Sequence, residues 1–280
     1  MSETDAAALL NPILNGPYDP PTEHFVIGPN GPTGEKREGR RPSESFIPIP
    51  QERKGRGKVS QSAQQLEIDF DLTGERREVN DTINGLRRDV ELWRTRGYDG
   101  VTPITRKLLL HWADADRENR TLFCQRDAAE TAIFLTEVAG RRGYTDWRLP
   151  IDAANAEHNS GLPRVALKMA TGTGKTVLMG MLIAWQTLNK LAAPRDTRFA
   201  SKFLLVAPGI TIRDRLRVLK PESEGNYYDA RELVPTELRA RLNEARLVIV
   251  NYHQFLPRLR KEFEGVSKTT REILSPGEGD

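Results

Sequence analysis

The segment Met169-Ala-Thr-Gly-Thr-Gly-Lys-Thr176 has the residue types and spacing that hold a phosphorylated ligand. Gly172 and Gly174 let the backbone turn tightly and direct its N–H groups inward. Lys175 can reach the β- and γ-phosphates of a nucleotide, and the Thr176 hydroxyl can hold Mg²⁺. The strict form of such a loop begins with glycine where this segment begins with methionine, so the match lies at the Gly-Lys-Thr end. This pattern predicts nucleotide binding in preference to an ordinary glycine-rich turn.

Secondary-structure patterns on both sides of the loop fit this chemistry. A short apolar strand is predicted over Val165–Met169, and a helix is predicted over Lys175–Leu188. The N-terminus of that helix would add a positive potential that favours an anion. Two more buried strands are predicted at Phe203–Ala207 and Leu247–Val250, with helices between them. Such alternation predicts an α/β fold with a parallel sheet of about three strands.

Helices are also predicted over residues 211–219 and 235–245. The first would begin with Thr211 and Asp214 spaced as a capping box. Basic side chains share one face of this helix at Arg213, Arg217 and Lys220. They fit either a track of phosphate contacts or an ordinary solvated face. Backbone N–H groups near Gly209–Thr211 could also hold a phosphate.

The first 60 residues differ in composition from the rest. They hold nine of the 18 prolines, with frequent glycine, and this composition predicts an extended or disordered arm over residues 1–60. The basic pairs Lys36-Arg37 and Arg40-Arg41 fit phosphate contacts. Equal numbers of acidic and basic residues in the arm favour instead a solvated linker.

Residues 61–160 are predicted to form a mostly helical accessory segment, and residues 161–280 the part of the chain that carries the loop. Alternation over Leu66–Leu72 predicts a short strand. Helices are predicted from Val79 to Trp93, from Pro103 after a Thr102 cap to Trp112, and from Gln125 to Ala139. Residues 141–163 are predicted to be a loop.

Composition excludes several classes of protein. The longest apolar run, Val177–Trp185, is shorter than the roughly 20 residues that a spanning helix needs, so no membrane association is expected. The chain has a single cysteine, Cys124, which excludes an internal disulfide and fits a protein of the reducing cytoplasm. Cys124 itself is expected to be buried and to have no nucleophilic role. A net charge of +3 is too weak by itself to indicate nucleic-acid binding.

The loop segment MATGTGKT resembles that of superfamily 2 helicase-like motors, above all the type III restriction enzyme res subunit and its DEAD/DEAH-like relatives. Leu122–Phe134 resembles the segment before the loop that carries an adenine-reading glutamine, which would be Gln125. Phe203–Arg213 and Leu247–Phe255 resemble the strand-and-loop segments that contact DNA.

This resemblance implies a P-loop NTPase fold of the RecA-like kind, incomplete in this chain, with ATP and Mg²⁺ as ligands. Lys175 would stabilise the charge of phosphoryl transfer, and Thr176 would hold the metal. The implied nucleotide-binding residues are Gln125, Ala170, Thr171, Gly172, Thr173, Gly174, Lys175 and Thr176. The implied DNA-binding residues are Pro208, Gly209, Thr211, Arg213, Tyr252 and His253.

Three of these assignments have structural alternatives. Gln125 could cap the helix that starts there, and His253 could be a structural histidine. Trp112 could stack on the base, although an aromatic on a short helix is more often a core residue.

No apolar strand in the chain ends in Asp-Glu, as the acidic box of such a motor would require. The resemblance implies that this box lies beyond Asp280, with a second RecA-like lobe and, in restriction-type members, a nuclease domain. The chain is therefore expected to be the ATP- and DNA-binding N-terminal portion of an ATP-dependent DNA translocase or helicase. By itself, it is expected not to hydrolyse ATP. Its expected partners are double-stranded DNA and a methyltransferase or specificity subunit. The alternative is a non-catalytic remnant or regulatory module. A small P-loop kinase would leave the Gln125 segment unexplained.

Overall fold

A computed structural model describes residues 12–28, 31–50, 72–162 and 164–255 of the chain. Its strands are β1 (Glu23–Gly28), β2 (Gly31–Glu38), β3 (Glu44–Pro50), β4 (Leu72–Val79), β5 (Lys202–Ala207) and β6 (Arg246–Asn251). Its helices are α1 (Asp81–Thr95), α2 (Pro103–Ala113), α3 (Phe123–Ile133), α4 (Arg148–His158), α5 (Lys175–Ala192), α6 (Ile210–Arg215), α7 (Tyr227–Ala230) and α8 (Thr236–Arg239). A π-helical turn over Phe134–Val138 continues α3, and 3₁₀ turns cover Leu216–Leu219, Ala240–Glu244 and Tyr252–Phe255.

Strands β5 and β6 form a parallel pair, which confirms the two strands predicted there. Their register places Phe203 opposite Leu247 and Ala207 opposite Asn251. Alternate residues of both strands pack against the core, so the pair has one buried and one exposed face. The structure therefore confirms that part of the predicted α/β fold that consists of mixed helices and strands with a small parallel sheet.

The strand predicted at Val165–Met169 is wrong. These residues have no regular secondary structure, and Val165 is 58% exposed. A strand is stable only where a neighbour satisfies its N–H and C=O groups. Among the described residues, β5 and β6 pair only with each other, so the parallel sheet there has two strands and not about three.

Helix α5 is the central element of the core. It buries Leu178, Met181 and Trp185, and helices α2 and α3 pack against it. A buried carboxylate joins these helices, because Glu137 Oε1 accepts hydrogen bonds from Thr105 Oγ1 at 2.7 Å and from the Trp185 indole at 2.8 Å. Satisfied in this way, the polar group adds specificity to the packing without the cost of an unpaired buried atom.

Helix α2 begins as predicted. The Thr102 side chain accepts a hydrogen bond from the Thr105 N–H, and Pro103 is the first helical residue. Trp112 is 1% exposed, and its indole donates to the Leu233 carbonyl at 2.9 Å. This residue belongs to the core, and the base-stacking alternative for it is wrong.

Helix α1 confirms the amphipathic helix predicted between Val79 and Trp93. It buries Leu86, Val90 and Trp93, and Gly97 follows its end with a φ of +75°. Val79 and Ile83 are exposed, so the buried stripe starts later than the spacing predicts.

The N-terminal region contains more regular structure than its composition predicts. Strands β1 and β2 form one antiparallel pair, and β3 and β4 form another, so the extended or disordered arm predicted over residues 1–60 contains paired strands at β1–β3. Both strands of a two-stranded ribbon are edge strands, which tolerate prolines such as Pro32 and Pro48. Of the predicted strand Leu66–Leu72, only Leu72 lies within the described residues. The division of the chain near residues 60 and 160 stays a prediction.

Three smaller differences follow from weak local signals. Helix α4 occupies part of the predicted loop 141–163; none of its residues is fully buried, although Ile151 packs against the core. The capping box predicted for Thr211 and Asp214 is wrong, because α6 begins after Gly209 without a side-chain cap. The helix predicted over residues 235–245 is found as α8 and the 3₁₀ turn after it. Within the described residues, no helix has the length and apolarity to cross a bilayer.

Candidate functional site

The glycine-rich loop leads directly into α5, the longest helix of the described residues. Gly172 and Gly174 have φ values of +82° and +75°, a region that residues with a side chain rarely adopt. Gly174 is the residue before the first turn of α5, and no side chain caps that turn. The first N–H groups of the helix are therefore left for a ligand, as an anion site requires. A Cβ at Gly174 would overlap the side-chain amide of Gln125.

Lys175 folds back over this loop. Its ammonium donates a hydrogen bond to the Ala170 carbonyl at 2.8 Å, and the Thr173 hydroxyl donates to the same carbonyl at 2.7 Å. Thr176 is half-buried in the first turn of α5 and lines a cleft together with Gly172 and Gly174. The structure therefore brings together residues 170–176, the set predicted to bind phosphate.

Gln125 contacts the loop through its amide. It is 5% exposed, its Oε1 accepts from the Leu122 N–H at 3.1 Å, and its Nε2 donates to the Thr173 carbonyl at 2.9 Å. The first bond is the helix cap that the sequence left open as an alternative. The second bond joins α3 to the glycine-rich loop across 48 residues of sequence. A role in reading adenine stays a prediction.

The cleft beside the loop has a volume of about 390 Å³. Its other walls include Tyr18 and Arg120, with the Arg120 guanidinium 4.3 Å from the centre of the Tyr18 ring. The Phe123 N–H donates to the Pro17 carbonyl at 2.8 Å, which fixes the segment that carries Tyr18. No signal in the proline-rich N-terminal sequence marks this tyrosine. Among the described residues that line the cleft, Glu118 is the only carboxylate.

Cys124 is half-buried next to the loop. Burial raises the pKa of its thiol, so the reactive thiolate is disfavoured. Cys124 is therefore less buried than expected, and the absence of a nucleophilic role for it stays a prediction.

The predicted DNA-binding segments meet at one edge of the β5–β6 pair. Ala207 lies opposite Asn251, so Pro208-Gly209 and Tyr252-His253 leave the sheet side by side. The carboxyl ends of parallel strands are a usual position for binding loops. The Tyr252 and His253 rings are 3.9 Å apart, and the His253 N–H donates to Asn251 Oδ1 at 3.0 Å.

The positive charge of α6 and of the 3₁₀ turn after it is partly neutralised by Asp214. The Arg213 guanidinium lies 3.1 Å from Asp214 Oδ1, and that of Arg217 lies 3.7 Å from the same oxygen. Thr211 is exposed at the start of α6. These two ion pairs favour the interpretation that the arginines form an ordinary solvated face. The arginines could contact DNA phosphates only after they separate from Asp214.

A comparison with protein families finds one that matches. The family model described as type III restriction enzyme, res subunit, matches residues 125–274. The match begins at Gln125 and includes the glycine-rich loop, α5, β5 and β6. It spans more than half of the chain and confirms the resemblance stated from the sequence. Comparisons with curated proteins and with solved structures found no match.

Proposed function

Because the chain belongs to the type III restriction enzyme res-subunit family, a helicase-like family with a P-loop NTPase fold, we propose that it binds ATP with Mg²⁺ at residues 170–176. Gln125 lies at this site as well, and the family is of the ATP-dependent kind. We further propose that the edge formed by Pro208, Gly209, Thr211, Arg213, Tyr252 and His253 contacts double-stranded DNA. The chain would then be the ATP- and DNA-binding part of a translocase or helicase.

The observation that carries the proposal is the position of Lys175. Its ammonium donates a hydrogen bond to the Ala170 carbonyl, within the glycine-rich loop. Both glycines of this loop have a positive φ, and α5, which follows the loop, lacks a side-chain cap. A phosphate in the loop would receive the helix N–H groups and the Lys175 charge together. The Mg²⁺ would supply charge neutralisation between the phosphates, with Thr176 holding it. The cleft of about 390 Å³ next to the loop would hold the rest of the nucleotide.

Turnover needs a carboxylate near the metal in addition to these groups. Glu118 is the only carboxylate among the described residues that line the cleft. Glu118 lies in the segment between α2 and α3 and not at the end of a β-strand, so it does not match the acidic box that the family uses. We propose that this chain binds ATP without hydrolysing it, and that turnover belongs to an assembly in which that carboxylate is supplied. A methyltransferase or specificity subunit and a cytoplasmic location are further parts of this proposal. They rest on the family and on the single cysteine.

Calorimetric titration of the 280-residue chain with Mg-ATP tests the binding site. Lys175→Ala should weaken binding at least about tenfold, because it removes a charged hydrogen-bond donor from the phosphates. Lys202→Ala is the matched control, since Lys202 is an exposed lysine at the start of β5. Equal affinity of the two variants would contradict the proposed site. Hydrolysis by the wild-type chain, stimulated by duplex DNA and lost in Lys175→Ala, would contradict binding without turnover.

A further inference from the structure

A second cleft lies between α1 and the two segments that flank the β1–β2 pair. It has a volume of about 490 Å³, and its walls come from the segment Gly39–Pro42, from α1 and from α3. Five arginines line it: Arg40, Arg41, Arg87, Arg88 and Arg94. Its carboxylates are Asp81, Glu91 and Asp127. Arginines therefore outnumber carboxylates, and we call this feature the arginine cleft.

Two of the arginines are held in place by acidic partners. Arg40 contacts Asp127 at 2.8 Å, and Arg94 contacts the other oxygen of that carboxylate at 2.9 Å. Arg94 also donates to Glu130 Oε2 at 2.7 Å. Asp127 is thus already shared between two cations, and it has little remaining capacity for a third.

The remaining three arginines lack such partners. In the part of the chain that the structure describes, Arg41, Arg87 and Arg88 form no ion pair. Arg87 is half-buried, and burial lowers the pKa of its guanidinium. The charge of Arg40 lowers it further, against the attraction of Asp127. An anion in the cleft would relieve the repulsion between Arg40 and Arg87.

The arginine cleft adjoins another opening, of about 580 Å³, that shares Arg40, Arg41 and Arg87. These three arginines therefore form a wall between two open clefts, and Arg88 lies exposed on α1. Guanidinium groups match the geometry of phosphate oxygens, and several in a row suit a ligand with evenly spaced phosphates. We propose that the arginine cleft binds the phosphate backbone of a nucleic-acid strand, as an anion site separate from residues 170–176.

Helix α3 borders both sites. Phe123 and Asp127 line the arginine cleft, and Gln125 contacts the glycine-rich loop. A nucleic-acid strand in the arginine cleft would therefore lie one helix away from the proposed nucleotide. The inference does not depend on nucleotide binding, since the unpaired arginines belong to a different set of residues.

Fluorescence anisotropy with a labelled duplex oligonucleotide, over a range of salt concentrations, tests the proposal on the full chain. The variant Arg41→Gln/Arg87→Gln/Arg88→Gln should bind at least about tenfold more weakly, with a salt slope smaller by about three. The control variant Arg106→Gln/Arg142→Gln/Arg195→Gln removes the same charge from exposed arginines elsewhere. It should keep the wild-type slope. Equal losses in the two variants would overturn the proposal.

Two further variants and a second ligand separate strand binding from misfolding and from capture of a free anion. Arg41→Gln/Arg88→Gln keeps Arg87, and urea unfolding shows whether this double variant is as stable as the wild type. A loss of affinity in the stable double variant would support the proposal, and wild-type affinity in it would overturn the proposal. Titration with inorganic phosphate distinguishes a free anion. One result would overturn the assignment to a nucleic-acid backbone. In it, the wild-type chain binds inorganic phosphate at sub-millimolar concentration, and the triple variant loses this binding but keeps the wild-type affinity for the oligonucleotide. Repeating the oligonucleotide titration with Lys175→Ala should leave the effect of the triple variant intact, whether or not ATP binds at the loop.

Discussion

Gln125 Nε2 donates a 2.9 Å hydrogen bond to the Thr173 carbonyl, and this bond connects α3 to the glycine-rich loop. Its Oε1 at the same time caps the first turn of α3. One amide therefore positions a helix and a loop that lie far apart in the sequence. The shape of the loop depends on this contact as well as on its glycines.

Replacing Gln125 should affect both stability and nucleotide affinity. Gln125→Ala leaves the Leu122 N–H and the Thr173 carbonyl without their partner, which should lower the free energy of unfolding by about 1–3 kcal/mol. ATP should bind more weakly, and if the amide also reads adenine, the preference for ATP over GTP should fall. Urea unfolding and nucleotide titration measure these effects. Gln186→Ala is the control, since Gln186 bonds the Ala200 N–H away from the loop. Unchanged ATP affinity in Gln125→Ala would exclude a role of this residue in the site.

Alanine at Gly174 should disrupt the loop by more than the cost of backbone strain. The residue has a φ of +75°, and a Cβ there would overlap the Gln125 amide. Gly161→Ala is a matched control, because Gly161 has the same φ with no atom near the added Cβ. The control should cost about 1–2 kcal/mol without loss of ATP binding. Gly174→Ala should lose ATP binding, as measured by calorimetry. Equal behaviour of the two variants would contradict the contact.

Releasing Arg213 of α6 and Arg217 of the 3₁₀ turn after it should strengthen DNA binding. Asp214 pairs with Arg213 and lies near Arg217, so Asp214→Asn frees both guanidinium groups. We expect several-fold tighter binding of duplex DNA at low salt, with the gain lost in Arg213→Gln. Asp196→Asn, which frees Arg198 elsewhere, controls for net charge. The same gain in both variants would show a nonspecific charge effect and count against the α6 track.

The stability of the fold should depend on pH through His111. Burial is the main cause that holds the pKa of His111 below its ordinary value of 6.5, and its Nε2 lies 2.7 Å from the Glu232 carbonyl. Between the lowered folded pKa and 6.5, the unfolded chain binds the extra proton. The free energy of unfolding should therefore fall as pH decreases below 6.5. In His111→Gln, urea unfolding between pH 7 and pH 5 should show a smaller decrease. An identical pH dependence would contradict this assignment.

The sequence predicts best the elements whose signals are local. The glycine-rich loop, helix α5 and strands β5 and β6 follow from short runs of residues. The strand predicted at Val165–Met169 fails because a strand depends on partners that its own residues do not specify. Helix α4 is missed because none of its side chains is fully buried, and only Ile151 of its residues packs against the core.

Contacts between distant segments account for what the sequence does not predict of the site. Tyr18 meets Arg120, and Gln125 meets Thr173, only after the chain has folded. The arginine cleft likewise joins Arg40 and Arg41 to residues of α1 more than 40 positions later in the sequence. The basic pair Arg40-Arg41 is visible in the sequence, but its unpaired neighbours on α1 are not.

Hydrogen exchange with and without Mg-ATP is the sharpest test of the proposed nucleotide site, because it reports where the nucleotide lies. We expect slower exchange of the backbone amides of residues 172–176, which would donate to the phosphates, and no such protection in Lys175→Ala. Protection confined to other segments, or equal protection in Lys175→Ala, would contradict the assignment of this loop as the ATP site.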